Sequence, residues 1–380
     1  MTSDAAPHRR GAEDAEKTGS GIESKSRTDC VSAPRFLREL RACLLQAGLC
    51  GESGLVAPSG LGGGVCLAMA GMSVLLLIGP TAAGKSQIAV WVAERSGAEI
   101  ISADARTIYR GLDLGTDRPA PEILARVPHH LIGALGPEER YDAARFRTDC
   151  ERLVSEIEAR GRRAIVVGGS TLYIRALTRG LFPGPAADLR LRETLAQRPL
   201  AEIRAEVERV DPVSASRIHP EDRVRLVRAL EVHRLTGQPL STFWGKEVPF
   251  PWPLVRIGLT VDRRELHRRI EARVERMLAS GLVEEARRLW EMGLPPDAPA
   301  VRTIGYRELF AHLRGEYDLG EARRRIVRNT KAYARRQLAF FRAERDVRWL
   351  DATGRTVPEV GAEVLTGWRA AEWGLESDLC

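Results

Sequence analysis

Residues 74–86, Val74-Leu75-Leu76-Leu77-Ile78-Gly79-Pro80-Thr81-Ala82-Ala83-Gly84-Lys85-Ser86, decide the fold. The apolar run from Val74 to Ile78 is too short to cross a membrane and reads as a buried strand. Gly79 to Ser86 follows the pattern GxxxxGK[ST], and Ile88 to Arg95 has helical character, so the loop leads from a strand into a helix N-terminus. Glycines at 79 and 84 let the backbone turn so that several N–H groups converge on phosphate oxygens, and the helix end adds its partial positive charge. Lys85 brings a full charge, and the Ser86 hydroxyl is a candidate ligand for Mg²⁺. The bland alternative is a glycine-rich turn that binds nothing. The chain has only five lysines, at 17, 25, 85, 246 and 331, so a lysine in this place by chance is improbable. The loop is expected to hold a di- or triphosphate.

Outward from the loop the pattern alternates. A second apolar strand is expected over Ala98–Ser102, ending at Asp104, then a polar segment to 121 and Val127-Pro128-His129-His130-Leu131-Ile132. An amphipathic helix from Ala143 to Arg160 leads to a third strand, Ala164–Val167, running into Gly168-Gly169-Ser170-Thr171. Strand–helix alternation that starts with a phosphate loop predicts an α/β fold: a P-loop NTPase-like parallel sheet flanked by helices, with ligands at the carboxyl ends of the strands. Residues 183–252 are bracketed by prolines and contain helical patterns at Leu189–Ala196 and Arg223–Leu235, which predicts a helical insertion. Strand character returns at Leu254–Val261, and 262–346 is helical by periodicity, with breaks near 293–299 and 315–320. The expected organisation is an extension over 1–72, a core over 73–182, the insertion over 183–252, core completion with basic helices over 253–350, and a tail over 351–380.

The extension is rich in Ala, Gly and Ser and is expected to be disordered. Met69 and Met72 sit immediately before the first strand, where an alternative translation start would leave every motif intact.

Across 380 residues the net charge is +7 and the pI near 9.3. The extension carries eight basic and eight acidic side chains, so the excess lies beyond it; residues 301–346 alone hold twelve Arg/Lys against six Asp/Glu. That run is either a solvated helix face or a nucleic-acid surface. Six scattered cysteines form no CxxC pair and no metal spacing. With no secretory signal, the expected setting is the cytoplasm, with reduced thiols and no membrane contact. His129 and His130 are adjacent, so their side chains point apart and are expected to be structural.

A phosphate loop alone fits kinases and ATPases. The third strand, however, ends in Gly168-Gly169-Ser170, not in the acid that helps hold Mg²⁺ and water in an ATPase. The acid at a strand end is Asp104, one loop over, where it can take a proton from an acceptor placed in line with a phosphate-bearing substrate. Its alternative role is a cap for a helix at 105–110.

These residues carry a family resemblance. From 74 to about 350 the chain resembles the tRNA dimethylallyltransferases (adenosine tRNA isopentenyltransferases). The matching blocks include GPTAAGKS (79–86), ISADARTIYRGLDLGTDRP (101–119), VPHHLI (127–132), YDAARFR (141–147) and VVGGSTLYIRAL (166–177). They continue with DPVSASRIHPED (211–222), RLVRALEVHRLTG (225–237), RTIGYREL (302–309) and YARRQLAFFR (333–342). The chain departs from the family at Ala105 and Thr107, where Ser and Gln are common, and at Gly133, where an acid is common.

The resemblance implies transfer of a dimethylallyl group from dimethylallyl diphosphate to N6 of the adenosine immediately 3′ of a tRNA anticodon. Gly79, Pro80, Thr81, Ala82, Ala83, Gly84, Lys85 and Ser86 would bind the diphosphate, with Mg²⁺ on Ser86, and Asp104, Lys85 and Thr81 would be catalytic. Contacts to the anticodon stem-loop would come from Asp104, Ala105, Arg106 and Thr107, from Ser170 and Arg192, and from Val224, Arg225, Leu226, Val227 and Arg228. Arg225 and Arg228 are three apart on a helix; their alternative is ion pairing with Glu221 or Asp222. Tyr333, Phe340 and Phe341, interleaved in the basic helix, are either core or RNA platforms. A monomer is expected. The rival readings are a small-molecule or nucleoside kinase, which would consume ATP, and a non-enzymatic RNA-binding protein.

Overall fold

In the computed structural model Val74–Ile78 forms β1, and all five side chains are buried. The model describes residues 72–372; apart from Met72, the extension lies outside the described residues. Burying an aliphatic side chain contributes about 1.5–3 kcal/mol, so a fully apolar strand is stable only between two layers. That is where β1 lies. Leu75 and Leu77 pack with Ile88, Val92, Ile257 and Trp368, whereas Val74, Leu76 and Ile78 pack with Phe146, Val154 and Ile174 on the opposite face.

The other strands are β2 (Glu99–Ala103), β3 (His129–His130), β4 (Ala164–Gly168), β5 (Leu254–Thr260) and β6 (Arg348–Asp351). They form one parallel sheet in the order β3-β2-β4-β1-β5-β6. Leu76 pairs with Val166 on β4 and with Arg256 on β5, so β1 is central. The chain leaves β1 toward one edge and returns to fill the other, which opens a crevice at the carboxyl ends of β1, β2 and β4. β2 starts one residue later than the apolar pattern implies and carries Glu99 into a buried position. Arg160 and His130, each at 2.7 Å, satisfy its carboxylate.

Helices α1 (Lys85–Ser96), α2 (Pro121–Arg126), α3 (Ala143–Ala159) and α4 (Thr171–Thr178) belong to the first half of the core. Between α4 and β5 lie α5 (Leu189–Gln197), α6 (Leu200–Val210), α7 (Pro212–Arg217) and α8 (Arg223–Thr236), which share their own apolar cluster of Leu195, Ile203, Val207, Leu226 and Leu230. Beyond β5 come α9 (Arg263–Ala279), α10 (Leu282–Glu291), α11 (Tyr306–Leu313) and α12 (Leu319–Arg342), and α13 (Val357–Glu372) follows β6.

Aspartates open many of these helices. Asp142, Asp188, Asp211, Asp222, Asp262 and Asp318 each accept hydrogen bonds from first-turn amides, which marks them as caps. Asp104 differs, because the segment after it folds as turns and not as a helix.

Candidate active site

Loops from three neighbouring strand ends meet over the sheet. After β1, the phosphate loop wraps into α1, whose N-terminal amides open toward a cavity of about 440 Å³ lined by Ala82 to Ser86. Lys85 Nζ donates to the loop's own Pro80 carbonyl at 2.7 Å. Burial lowers the Lys85 pKa to about 8; Asp104 pulls against the shift and Arg273 adds to it. An ammonium held this way gains more from a bound anion than an exposed lysine would. Ser86 stands at the rim of the same cavity. No cluster of three or more His, Cys, Asp or Glu able to cage a metal occurs among the described residues. One hydroxyl beside a phosphate site suits Mg²⁺, which keeps waters and leans on substrate phosphates.

After β2, Asp104 Oδ1 accepts the Arg106 N–H at 2.8 Å, a local turn that fixes the carboxylate without capping a helix. Asp104 lines the phosphate-loop cavity and also a second cavity, of about 310 Å³, lined by Arg106, Arg302, Arg307 and Ile326. Thr81, Thr116, Arg273 and Tyr333 share both cavities with it. The two hollows therefore meet at one constriction that contains the expected base.

After β4, Gly168 and Gly169 allow close approach: a side chain on Gly168 would run into the Ala103 carbonyl, and one on Gly169 into the Gln337 amide. Ser170 is buried and its Oγ accepts the Ala105 N–H at 2.8 Å, bracing the turn that carries Asp104. Thr107 is also buried, hydrogen-bonded to Ser102 at 3.0 Å.

Sequence reasoning missed several residues of the constriction. Arg273, on α9, donates to Thr81 Oγ1 at 3.0 Å and to the Thr116 carbonyl at 3.1 Å. Burial lowers its pKa, offset in part by Asp117 and Asp104. Gln337, on α12, accepts the Thr81 N–H at 2.8 Å and donates to the Gly169 carbonyl at 2.8 Å. The Thr81 amide is therefore engaged within the protein, although the whole loop from 79 to 86 was expected to face phosphate. Glu285, on α10, is buried and accepts N–H bonds from Leu114 at 3.0 Å and Gly115 at 3.2 Å and the Tyr306 hydroxyl at 2.5 Å. It thereby sets the loop whose Thr116 carbonyl holds Arg273. Tyr333 reaches the constriction with its hydroxyl pushed up to about 12 by burial and by Asp104. Phe341, by contrast, is core.

The insertion sorts its expected contact residues by exposure. Val224 is 80% exposed, and the Arg225 side chain, 3.4 Å from Asp222, is 71% exposed. Leu226 and Val227 are core residues of the insertion, so their side chains face inward, contrary to an outward contact role. Arg192 Nε (2.9 Å) and Arg228 Nη1 (2.5 Å) both bond Glu231, which is fully buried; Arg228 pairs there and not with Glu221 or Asp222. An unpaired carboxylate in that position would be costly, so both arginines have a structural task. His129 bonds the Val127 carbonyl and His130 bonds Glu99, each at 2.7 Å, which ties both rings to the protein, although His129 also lines the phosphate-loop cavity.

Comparison with known proteins matches this architecture. Residues 107–344 fit the family model described as IPP transferase. The tRNA dimethylallyltransferase of Geobacter metallireducens is 46% identical over 288 residues, covering 74% of this chain and 93% of that protein. That of Thermomicrobium roseum is also 46% identical, over 74% of this chain and 86% of its own. Among solved structures, the full-length tRNA isopentenylpyrophosphate transferase of Bacillus halodurans superposes with a TM-score of 0.60 at 34% identity, covering 80% and 99% of the two chains. A eukaryotic dimethylallyltransferase acting on tRNA gives 0.65 at 25% identity, over 75% of each chain. The fold, the phosphate loop and the sequence relationship agree: the chain belongs to the tRNA dimethylallyltransferase family.

Proposed function

We propose that the protein transfers a dimethylallyl group from dimethylallyl diphosphate to N6 of the adenosine immediately 3′ of a tRNA anticodon, releasing diphosphate. The supporting observation is the pair of cavities that share Asp104, one floored by the phosphate loop and the other rimmed by arginines. The first suits a diphosphate and the second an RNA base with its flanking phosphates.

In this reading the diphosphate lies against the free amides of the loop and Lys85, with the allyl carbon at the constriction. The adenine flips from its stack into the second cavity, since an amine inside a stacked loop cannot reach the carbon. Its N6 lone pair is delocalised into the ring and needs help. Asp104 accepts an N6 hydrogen bond, orients the amine and takes the proton as the C–N bond forms. The allylic C–O bond breaks, and the electron pair leaves on the diphosphate, where Lys85, Arg273 and the α1 N-terminus stabilise the growing charge. Mg²⁺ on Ser86 and the phosphates would add further charge stabilisation when bound. Thr81, gripped at its hydroxyl by Arg273 and at its amide by Gln337, keeps the loop in place. Productive transfer requires that water be kept from the developing allyl cation, which would otherwise be hydrolysed.

Asp104, Ala105 and Arg106 would touch the tRNA at the second cavity, with Val224 and Arg225 at the exposed end of α8. The protein is taken to act as a cytoplasmic monomer; no helix among the described residues is long and apolar enough to cross a membrane. The kinase reading is tested against this one by following phosphate products. Diphosphate release that requires both dimethylallyl diphosphate and tRNA, without ATP, supports transfer. ADP formed from ATP in step with a small acceptor would overturn it.

A further inference from the structure

Gln337 is only 2% exposed and lines the phosphate-loop cavity, and both ends of its side-chain amide are used. Its Oε1 takes the Thr81 N–H and its Nε2 gives to the Gly169 carbonyl, each at 2.8 Å. Thr81 belongs to the loop that would hold the leaving group. Gly169 precedes Ser170, whose hydroxyl holds the Ala105 N–H and so the turn that carries Asp104. One rigid, planar amide therefore spans the gap between the donor half and the acceptor half of the site. A side chain at position 169 would displace this amide from its place, so the glycine there leaves room for it. The helix that carries Gln337 also brings Tyr333 to the constriction, one turn away on the same face.

We propose that Gln337 is a positioning residue for the transfer step, setting the separation between the phosphate loop and the Asp104 turn. The inference rests on the prenyl-transfer reading above. Its physical basis is that the reacting carbon must sit within bonding approach of N6 while its diphosphate stays in the loop. A misplacement of about 1 Å between such halves costs roughly 10²-fold in rate. Glutamine is suited to the task because it offers one acceptor and one donor in a fixed geometry and stays neutral beside a bound diphosphate.

Gln337→Glu is the discriminating variant. An ionised carboxylate can still accept from Thr81 but opposes the Gly169 carbonyl, acceptor against acceptor. A protonated carboxyl has the shape of the amide and restores the donor. Burial and the facing carbonyl both favour the neutral acid, so the restoring titration should fall above the usual carboxylate range. The measurement is single-turnover prenyl transfer with tRNA pre-bound, for wild type and variant side by side, from pH 6 to pH 8.5.

The expected result is a variant-to-wild-type rate ratio about 10–100-fold below unity at the alkaline end that climbs toward unity as pH falls, with tRNA affinity unchanged. Taking the ratio removes the part of the pH dependence that both proteins share. Gln337→Met, which can neither donate nor accept strongly, should be slow at every pH. A flat ratio for Gln337→Glu, or a wild-type rate for Gln337→Met, would overturn the positioning role. A wild-type protein that transfers nothing would instead overturn the prenyl-transfer reading beneath it.

Discussion

Lys85 shows how a single residue is prepared by its surroundings. Desolvation at its half-buried place, with Asp104 opposing and Arg273 adding, lowers its pKa to about 8, far below an exposed lysine. The sign of the consequence follows. The charged form binds a diphosphate, so affinity for inorganic diphosphate should hold below about pH 8 and decline as the pH rises through it. Binding near pH 8 should take up a proton, because the anion raises the lysine's pKa. Calorimetry in buffers of different ionisation enthalpy measures that uptake, and proton release in its place would contradict the assignment. Lys85→Ala should slow transfer on the order of 10²–10³ with tRNA affinity nearly unchanged, by analogy with the loss of one oxyanion-hole donor. Single-turnover rates at saturating dimethylallyl diphosphate provide the check.

At the scale of elements, the site depends on helices that the motifs do not advertise. The run 79–86 carries its own signature, and Asp104 stands out as the acid after the second strand, so the donor loop and the candidate base were legible in the sequence. Arg273 was not. Arg269, Arg273 and Arg276 recur on one face of α9, a spacing that a solvated helix shares, and only the fold turns that face toward the loop. Gln337 left a faint trace as a polar residue among the buried positions of α12, between Ala334 and Phe341. Glu285 left none, since its backbone partners lie about 170 residues away in sequence. Its loss should be felt through the loop it holds. Glu285→Gln would set an amide NH₂ against backbone N–H groups, an unmade buried bond that costs about 1–3 kcal/mol. A clear fall in melting temperature is expected, and an unchanged melting temperature would show that the clamp is dispensable.

At the scale of the whole molecule, a helical insertion with its own apolar cluster accompanies the phosphate-loop core, and the proposed function assigns the donor to the core and RNA contacts to the insertion. The insertion's arginines are not equivalent. Arg225, exposed and only loosely tied to Asp222, is free to meet a phosphate; Arg225→Ala should weaken tRNA binding and reduce the salt slope by about one. Arg192→Ala should act differently, by leaving Glu231 short of a partner, and should lower stability more than it changes the salt slope. Binding titrations at several salt concentrations alongside thermal melts separate the two. The meeting of the two cavities at Asp104 is the central claim, and one measurement reaches it most directly. Wild-type and Asp104→Asn proteins, with tRNA pre-bound, are given Mg²⁺ and dimethylallyl diphosphate for a single turnover, and the tRNA is then digested and its nucleosides analysed by mass. Asparagine keeps the size of the side chain and its turn, so only the proton acceptor is lost. The account predicts N6-dimethylallyl adenosine from the wild type and a rate lower by roughly 10²–10⁴ in the variant, with tRNA bound equally well. An Asp104→Asn protein that transfers at the wild-type rate, or a wild type whose tRNA nucleosides are unchanged, would contradict it.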